Sequence, residues 1–304
     1  MTIALDDALL AGWPLPDSTH GDKEERGRVL VIGGSPQIVG AVRLAGEAAL
    51  RAGAGKLAIA TVADACVPLA VAVPEARVIG WLATDAGGPA PDALDVVRDA
   101  ATRAGAIVIG PGMQDESATC ALAAAVLALD LAGSVVLDAD AMRARCTADA
   151  LATRGVRRAP RVIVTPHAGE MAHLTGRDKD AIDADPAAIA HDAAIAWNAV
   201  VVLKGAITHV ASPDGEVWRH EGGNAGLGVS GSGDVLAGLI TGLVARGATL
   251  EQAAAWAVRL HARAGERLAG RFGVLGYLAR EIAVEVPAIM ASLSAGPSRR
   301  IGFG

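Results

Sequence analysis

Aromatic side chains are scarce: among 304 residues there are one Tyr, two Phe and five Trp. The formal net charge is −6, and no basic tail or stripe is present. With few rings to stack on bases and no cationic surface for phosphates, a nucleic-acid partner is not expected. Cysteine is also sparse. Cys66, Cys120 and Cys146 are odd in number and never spaced as CxxC, which points to buried thiols in a reducing compartment, not to a disulfide or zinc framework. The opening MTIALDDALLAGWPLPDS is acidic where a secretory signal is basic. No apolar run is long and clean enough to span a bilayer. The best decoy, Ala118–Leu137, contains Asp130 and Gly133-Ser134 and reads as a helix followed by a strand. The expectation is a soluble cytoplasmic protein with no membrane partner.

What is abundant is apolar residues, 52% of the chain, with a mean hydropathy of +0.38. That is ample for a large core in a chain of this size. Short β-branched runs alternate with alanine-rich helical stretches. Strands are expected at Arg28–Ile32, Lys56–Thr61, Ala106–Ile109, Ser134–Leu137, Arg161–Val164 and Val200–Leu203. Helices are expected near Val39–Ala52, Asp92–Ala104, Glu116–Leu131, Ala141–Thr153 and Pro186–Trp197. Continuously apolar strands such as VLVI and AIVI suit a parallel sheet covered on both faces. The fold class is therefore α/β: three layers, with a doubly wound, mostly parallel sheet between helices. An exposed hairpin, Ala206–Ala211 and Glu216–His220, should follow, then a glycine-dense loop and three helices near Gly233–Arg246, Leu250–Leu268 and Tyr277–Leu293. With no linker or repeat, a single domain over 1–304 is expected.

The strands end in unusual residues. In order these are Gly33-Gly34-Ser35, Gly110-Pro111-Gly112, Asp138-Ala139-Asp140, Thr165-Pro166-His167-Ala168-Gly169-Glu170 and Lys204-Gly205. Each alone is ordinary turn chemistry. Together on the carboxyl edge of one α/β sheet, where ligands bind, they mark an active site. Lys204 follows the apolar run Ala199–Leu203. It is either a strand-end lysine reaching for solvent or a phosphate or ribose contact.

The densest signal runs from Gly222 to Asp234, ending Gly231-Ser232-Gly233-Asp234 before the helix VLAGLITGLVA. Glycines at a helix N-terminus present amide N–H groups and the positive dipole end to an anion. Asp234, in the first turn, reads as a general base, with capping as the plainer alternative. Three decoys fall away. Gly226–Gly231 matches GxGxxG but lacks the strand that must precede it. Gly53-Ala54-Gly55-Lys56 precedes a strand and has Leu57 where a P-loop needs Ser or Thr. His167 and His173 lack zinc spacing. The other histidines, His20, His191, His209, His220 and His261, read as surface or ordinarily satisfied residues.

Taken in order, Gly27–Gly34 with Ser35, Gly40-Ala41, Gly110-Pro111-Gly112, Asp138-Ala139-Asp140-Ala141, Thr165-Pro166-His167 with Gly169-Glu170, Leu203-Lys204-Gly205-Ala206 and Gly231-Ser232-Gly233-Asp234 resemble one family. It is the ADP-dependent NAD(P)H-hydrate dehydratases, a branch of the ribokinase-like superfamily. The resemblance covers about residues 20–290 and implies a metabolite-repair lyase. Such an enzyme dehydrates the S-epimer of hydrated NADH or NADPH (NADHX, NADPHX) to the normal cofactor, converting ADP to AMP and phosphate.

The resemblance places ADP on Lys204, Gly205, Ala206, Ile207, Thr208, Gly231, Ser232 and Gly233. It places the hydrated dinucleotide on Ala41, Gly112, His167 and Asp234, with Asp234 catalytic. Mg²⁺ is implied, ordered through water by Glu170 and less strongly by Asp138. A homo-oligomer is implied too, a tetramer being one form, and no epimerase domain is expected within these 304 residues. Ile38, Gln114 and Asn224-Ala225-Gly226-Leu227 stand where the family often has Tyr, Gly and asparagine-proline-glycine-methionine. The rival reading is a vitamin-precursor kinase for hydroxymethylpyrimidine or hydroxyethylthiazole from the same superfamily. His167, where those kinases tend to carry Asn, favours the dehydratase. A non-catalytic nucleotide sensor is the third reading, and the intact Asp234 speaks against it.

Overall fold

The computed structural model describes residues 2–17, 21–143, 145–154 and 161–294. Strands β1 (Ile3–Ala4), β2 (Arg28–Ile32), β3 (Lys56–Val62), β4 (Ala76–Trp81), β5 (Ala106–Ile109), β6 (Ser134–Leu137), β7 (Val162–Val164), β8 (Val200–Leu203), β9 (Ile207–Ala211) and β10 (Val217–Glu221) form one sheet. Their order is β1-β10-β9-β8-β7-β6-β5-β2-β3-β4. From β4 across to β8 every pairing is parallel, and β9 then turns antiparallel on β8.

In β2 the alternation of side chains feeds both layers. Val29 and Val31 face the layer of α1 (Asp7–Ala11), α2 (Gly40–Arg51), α3 (Cys66–Ala72), α10 (Ser232–Ala245), α11 (Leu250–Phe272) and α12 (Ala279–Ser294). Leu30 and Ile32 face the layer of α4 (Ala93–Arg103), α5 (Glu116–Ala128), α6 (Arg145–Arg154), α7 (Ala168–Thr175), α8 (Lys179–Ala184) and α9 (Pro186–Trp197). Burial on both faces is why β5 and β8 can be apolar throughout, and β2 and β6 apolar after their first residues, Arg28 and Ser134. Helix α10 lies against α2 closely enough to need glycine. A Cβ on Gly238 would sit 2.2 Å from the Ala45 carbonyl oxygen, and one on Gly242 would sit 2.4 Å from that of Ala49.

The expected α/β architecture stands, with several corrections. The hairpin is not exposed: β9 and β10 extend the sheet, and Val210, Ala211, Val217 and Trp218 are buried. Trp218 stacks on Trp13 from the N-terminal segment, their ring centroids 5.6 Å apart. The last helix begins at Ala279, and Tyr277 before it is buried in the loop. The decoy apolar run divides into α5 and β6, and no described helix is long and apolar enough to cross a membrane. Cys66 is a free, half-buried thiol, whereas Cys120, on the buried face of α5 that packs on α6, is disulfide-bonded, against the expectation of thiols. His20 and the side chain of Cys146 lie outside the described residues.

Candidate active site

Because β5 to β8 run parallel and in register, their carboxyl ends bring Gly110, Asp138, Thr165 and Lys204 to one edge. A bridge between His167 and Lys204 continues the register of β7 and β8 beyond their last pair, Val164 with Val201, with Lys204 N–H donating to the Pro166 carbonyl at 2.7 Å. Gly110 has φ +121°, and a Cβ there would lie 1.8 Å from the Asp138 carbonyl oxygen. No side chain fits, so glycine is what allows the strand ends to converge.

Lys204 is the centre of the charge arrangement. Its Nζ lies 3.0 Å from Asp138 Oδ1 and 3.7 Å from Glu170 Oε2. Asp138 is 2% exposed, and its Oδ1 also accepts the Thr165 hydroxyl at 2.6 Å. Burial alone would lower the Lys204 pKa, but the carboxylates of Asp138 and Glu170 outweigh it and hold the ammonium above its usual range. His167 and Glu170 form a reciprocal cap on α7. The Glu170 N–H donates to His167 Nδ1 at 3.1 Å, and the His167 N–H donates to Glu170 Oε2 at 2.7 Å. The proton of neutral His167 therefore resides on Nε2. Burial raises the Glu170 pKa, and Lys204 opposes that rise.

Asp234 stands in the first turn of α10, beyond Gly231, which serves as N-cap at φ +89°. It is half-buried, and burial together with the charge of Asp138 pushes its pKa up to about 7, with Lys204 pulling the other way. A Cβ on Gly233 would come within 3.5 Å of Lys204 Nζ, so this turn faces the ammonium across an open backbone. Ser232, in the same turn, is held from α11: His261 Nε2 lies 2.9 Å from Ser232 Oγ and 3.1 Å from the Ser232 carbonyl oxygen.

A cavity of about 710 Å³ opens beside this centre, between the ends of β8 and β9, the loop after β10 and α11. Of the residues expected to hold ADP, Lys204, Gly205, Ala206, Thr208, Ser232 and Gly233 line it, whereas Ile207 and Gly231 do not; His167, expected on the dinucleotide, lines it too, and Asp234 does not. Ile207 points away because side chains alternate along β9. Ala41 and Gly112 lie elsewhere, side by side near the ends of β2 and β5. A Cβ on Gly112 would be 2.8 Å from Ala41 Cβ, and Gly112 has φ +66°. This second region meets α10 at Gly231, where a Cβ would reach Leu44 of α2 at 2.5 Å. Of the departures from the family pattern, Gln114 donates to Gln37 at 3.2 Å, and Ile38 is exposed, both beside Gly112.

Sequence reasoning missed two cavity-side groups. His220 and His261 were expected to be surface or satisfied residues, yet both line the cavity. His220 Nδ1 donates to the Leu5 carbonyl at 3.0 Å, and its buried Nε2 has no partner among the described residues. Asn224 Oδ1 accepts from the Gly226 N–H at 2.9 Å and the Tyr277 hydroxyl at 2.8 Å, pinning the glycine loop against the segment before α12. Neither histidine has a motif around it; only the packing of α11 and β10 on the loop brings them in.

Residues 29–288 match a family model described as NAD(P)H-hydrate dehydratase. The ADP-dependent (S)-NAD(P)H-hydrate dehydratase of Xanthomonas campestris pv. campestris is 48% identical over 95% of this chain and 96% of its own length. The chain also matches longer bifunctional NAD(P)H-hydrate repair enzymes, of which it spans 54%. Among solved structures, an ADP/ATP-dependent NAD(P)H-hydrate dehydratase from Bacillus subtilis, co-crystallized with ATP/Mg²⁺, superposes with a TM-score of 0.80. That enzyme is 28% identical, over 96% of this chain and 99% of its own. A ribokinase-like superfamily protein from Enterococcus faecalis gives a TM-score of 0.81 at 25% identity, covering 96% of both chains. On the family model and the Xanthomonas relative together, the chain belongs to the NAD(P)H-hydrate dehydratase family, with a ribokinase-like α/β fold.

Proposed function

We propose that the protein repairs hydrated nicotinamide nucleotides, converting the S-epimers of NADHX and NADPHX to NADH and NADPH while ADP becomes AMP and phosphate. The observation that carries this reading is the Asp234 carboxylate. It is titratable near neutrality, it stands in the first turn of a glycine-capped helix, and it shares its surroundings with Lys204.

Hydroxide leaves a ring carbon poorly, so the hydroxyl is first phosphorylated. Asp234 takes the hydroxyl proton as the oxygen attacks the terminal phosphorus of ADP and AMP departs. A base titrating near the working pH suits that transfer. The α10 N-terminus at Gly231–Gly233 receives the charge of the moving phosphoryl group, and Lys204 opposes it from the other side. The ring nitrogen lone pair then expels phosphate with the C–O bonding pair, and loss of the neighbouring C–H proton restores the double bond. In this reading the nucleotide occupies the 710 Å³ cavity with Lys204–Thr208. The hydrated ring lies toward Ala41, Gly112 and His167.

Mg²⁺ belongs to the proposal. The carboxyls of Asp138, Glu170 and Asp234 surround the Lys204 ammonium, and the charges of Asp138 and Glu170 both raise the Asp234 pKa. A divalent cation bound through water, with Glu170 and Asp138 as outer partners, fits that excess. No group of three His, Cys, Asp or Glu among the described residues is placed to hold it directly. Held there, the ion would supply positive charge against the phosphate groups of the nucleotide. A cytoplasmic homo-oligomer, with a tetramer as one form, is part of the same reading. The exposed Val67, Val71 and Leu82 on and beside α3 and β4 give such an assembly an apolar surface to cover.

The test supplies acid-prepared NADHX and Mg²⁺ with ADP, ATP or no nucleotide, and follows the near-ultraviolet band of the restored dihydronicotinamide. A nucleotide-dependent rise with ADP is expected. A rise with ATP alone overturns the donor assignment. No rise with either, on competent substrate, favours phosphorylation of a vitamin-precursor alcohol.

A further inference from the structure

The contact between α11 and the first turn of α10 fixes a proton. A carbonyl oxygen only accepts, and the Ser232 carbonyl lies 3.1 Å from His261 Nε2. Nε2 therefore carries hydrogen. Ser232 Oγ, 2.9 Å from the same nitrogen, must then accept in that contact and keep its own hydroxyl hydrogen for another partner. The opposite tautomer would spend the Ser232 hydrogen on Nε2 and set two lone pairs, on Nε2 and the carbonyl, against each other. His261 is thus no base for Ser232.

Ser232 is 4% exposed, and both residues line the 710 Å³ cavity. The hydroxyl sits in the first turn of α10, where a Cβ on Gly233 would come within 3.5 Å of Lys204 Nζ, and between a helix N-terminus and an ammonium a phosphate is the fitting acceptor. Burial and the Lys204 charge hold the His261 pKa down to about 4, so the ring stays neutral and the tautomer persists at working pH. We propose that His261 is a positioning residue: its Nε2–H clamps Ser232 so that the Ser232 hydroxyl donates to a phosphate of the nucleotide at the α10 N-terminus. This rests on the reading that the nucleotide phosphates lie there.

Two experiments test it. Ring ¹⁵N shifts of His261 in the unmodified protein should report a neutral Nε2–H tautomer throughout the neutral pH range. The Nδ1–H tautomer would overturn the proposal without any variant. Binding of ADP and of adenosine, which lacks phosphate, is then measured by calorimetry. His261→Phe and Ser232→Ala should each weaken ADP by about tenfold to a hundredfold, the range for a hydrogen bond to a charged acceptor, and leave adenosine unchanged. In the Ser232→Ala background, His261→Phe should cost less than about threefold, because the two act as one unit. His261→Gln, which restores an N–H donor, should recover most of the loss.

Equal weakening of adenosine, or additive effects of the two substitutions, would show a merely structural histidine. If His261→Phe does not fold, Ser232→Ala and the tautomer still decide. A wild-type protein that binds ADP no better than adenosine would overturn the phosphate placement itself. Phosphate-dependent binding with an insensitive His261 would overturn only this inference.

Discussion

Lys204 and Asp138 stand at the ends of β8 and β6, one strand apart, with Nζ 3.0 Å from Oδ1. The pair is the pivot of the site. Asp138 is buried and spends its oxygen on Lys204 and Thr165, so the ammonium is fixed in place, aimed at the turn that holds Asp234. Removing Lys204 leaves Asp138 as an uncompensated buried carboxylate. Lys204→Met should destabilise the protein by about 3 kcal/mol or more in urea unfolding and abolish ADP binding. A stability change below about 1 kcal/mol would mean that solvent already screens the pair.

Asp234→Asn separates chemistry from binding. The amide keeps the shape of the first turn of α10 but cannot take a proton. Turnover should fall by at least about a hundredfold, while ADP affinity measured by calorimetry stays within a few-fold. Retained turnover would remove Asp234 from its role as base.

The raised Asp234 pKa of about 7 also fixes a pH dependence. A carboxyl that holds its proton more tightly folded than unfolded contributes fully to stability below its unfolded pKa, near 3.8. That contribution fades as pH rises through 7. The nucleotide-free Asp234→Asn variant should therefore match wild type near about pH 4 and exceed it by on the order of 3 kcal/mol above about pH 8. Activity runs the other way: kcat/KM in wild type should drop as pH falls through about 7, where the base becomes protonated. Thermal melts and initial rates over one pH series check both limbs.

Gly110→Ala probes the convergence of the strands. At φ +121° with the Asp138 carbonyl 1.8 Å from the new Cβ, neither backbone can yield cheaply. A loss of about 3 kcal/mol or more in stability is expected, with Lys204 and Asp138 displaced in a crystal structure of any soluble protein recovered.

The parallel sheet was legible because β2, β5, β6 and β8 are apolar on both faces, and a single physical cause produces that pattern. The edge strand β4, ARVIGW, was not, since a strand half open to solvent carries Arg77 and Gly80 and lacks the continuous apolar run. The carboxyl-edge residues were legible too, because each follows a strand that could itself be read. Helix α7 escaped notice although its cap was in plain sight. His167 and Glu170 stood out as binding and metal residues, while their spacing of three, which lets each side chain satisfy the other's backbone, passed unread. His261 lies mid-helix on α11, and its meeting with Ser232 depends on the angle at which two helices pack, which no local pattern encodes. Its neighbour in the cavity wall, His220, depends likewise on β10 joining a sheet whose hairpin was expected to be exposed.

The first strand of the chain pairs with Trp218 and Arg219, and Leu5 receives the ring of His220 from 215 residues away. On a ribosome, Ile3 and Ala4 therefore emerge well before β10 and wait for the intervening chain before their partner strand exists. The outer edge of the sheet, which brings His220 to the cavity wall, is closed by a contact of very high sequence separation, the kind that is slow to form. A nascent chain halted short of β10 lacks α10, α11 and α12 as well, and so has neither the helix layer over β5 and β6 nor the Ser232 and His261 walls of the cavity.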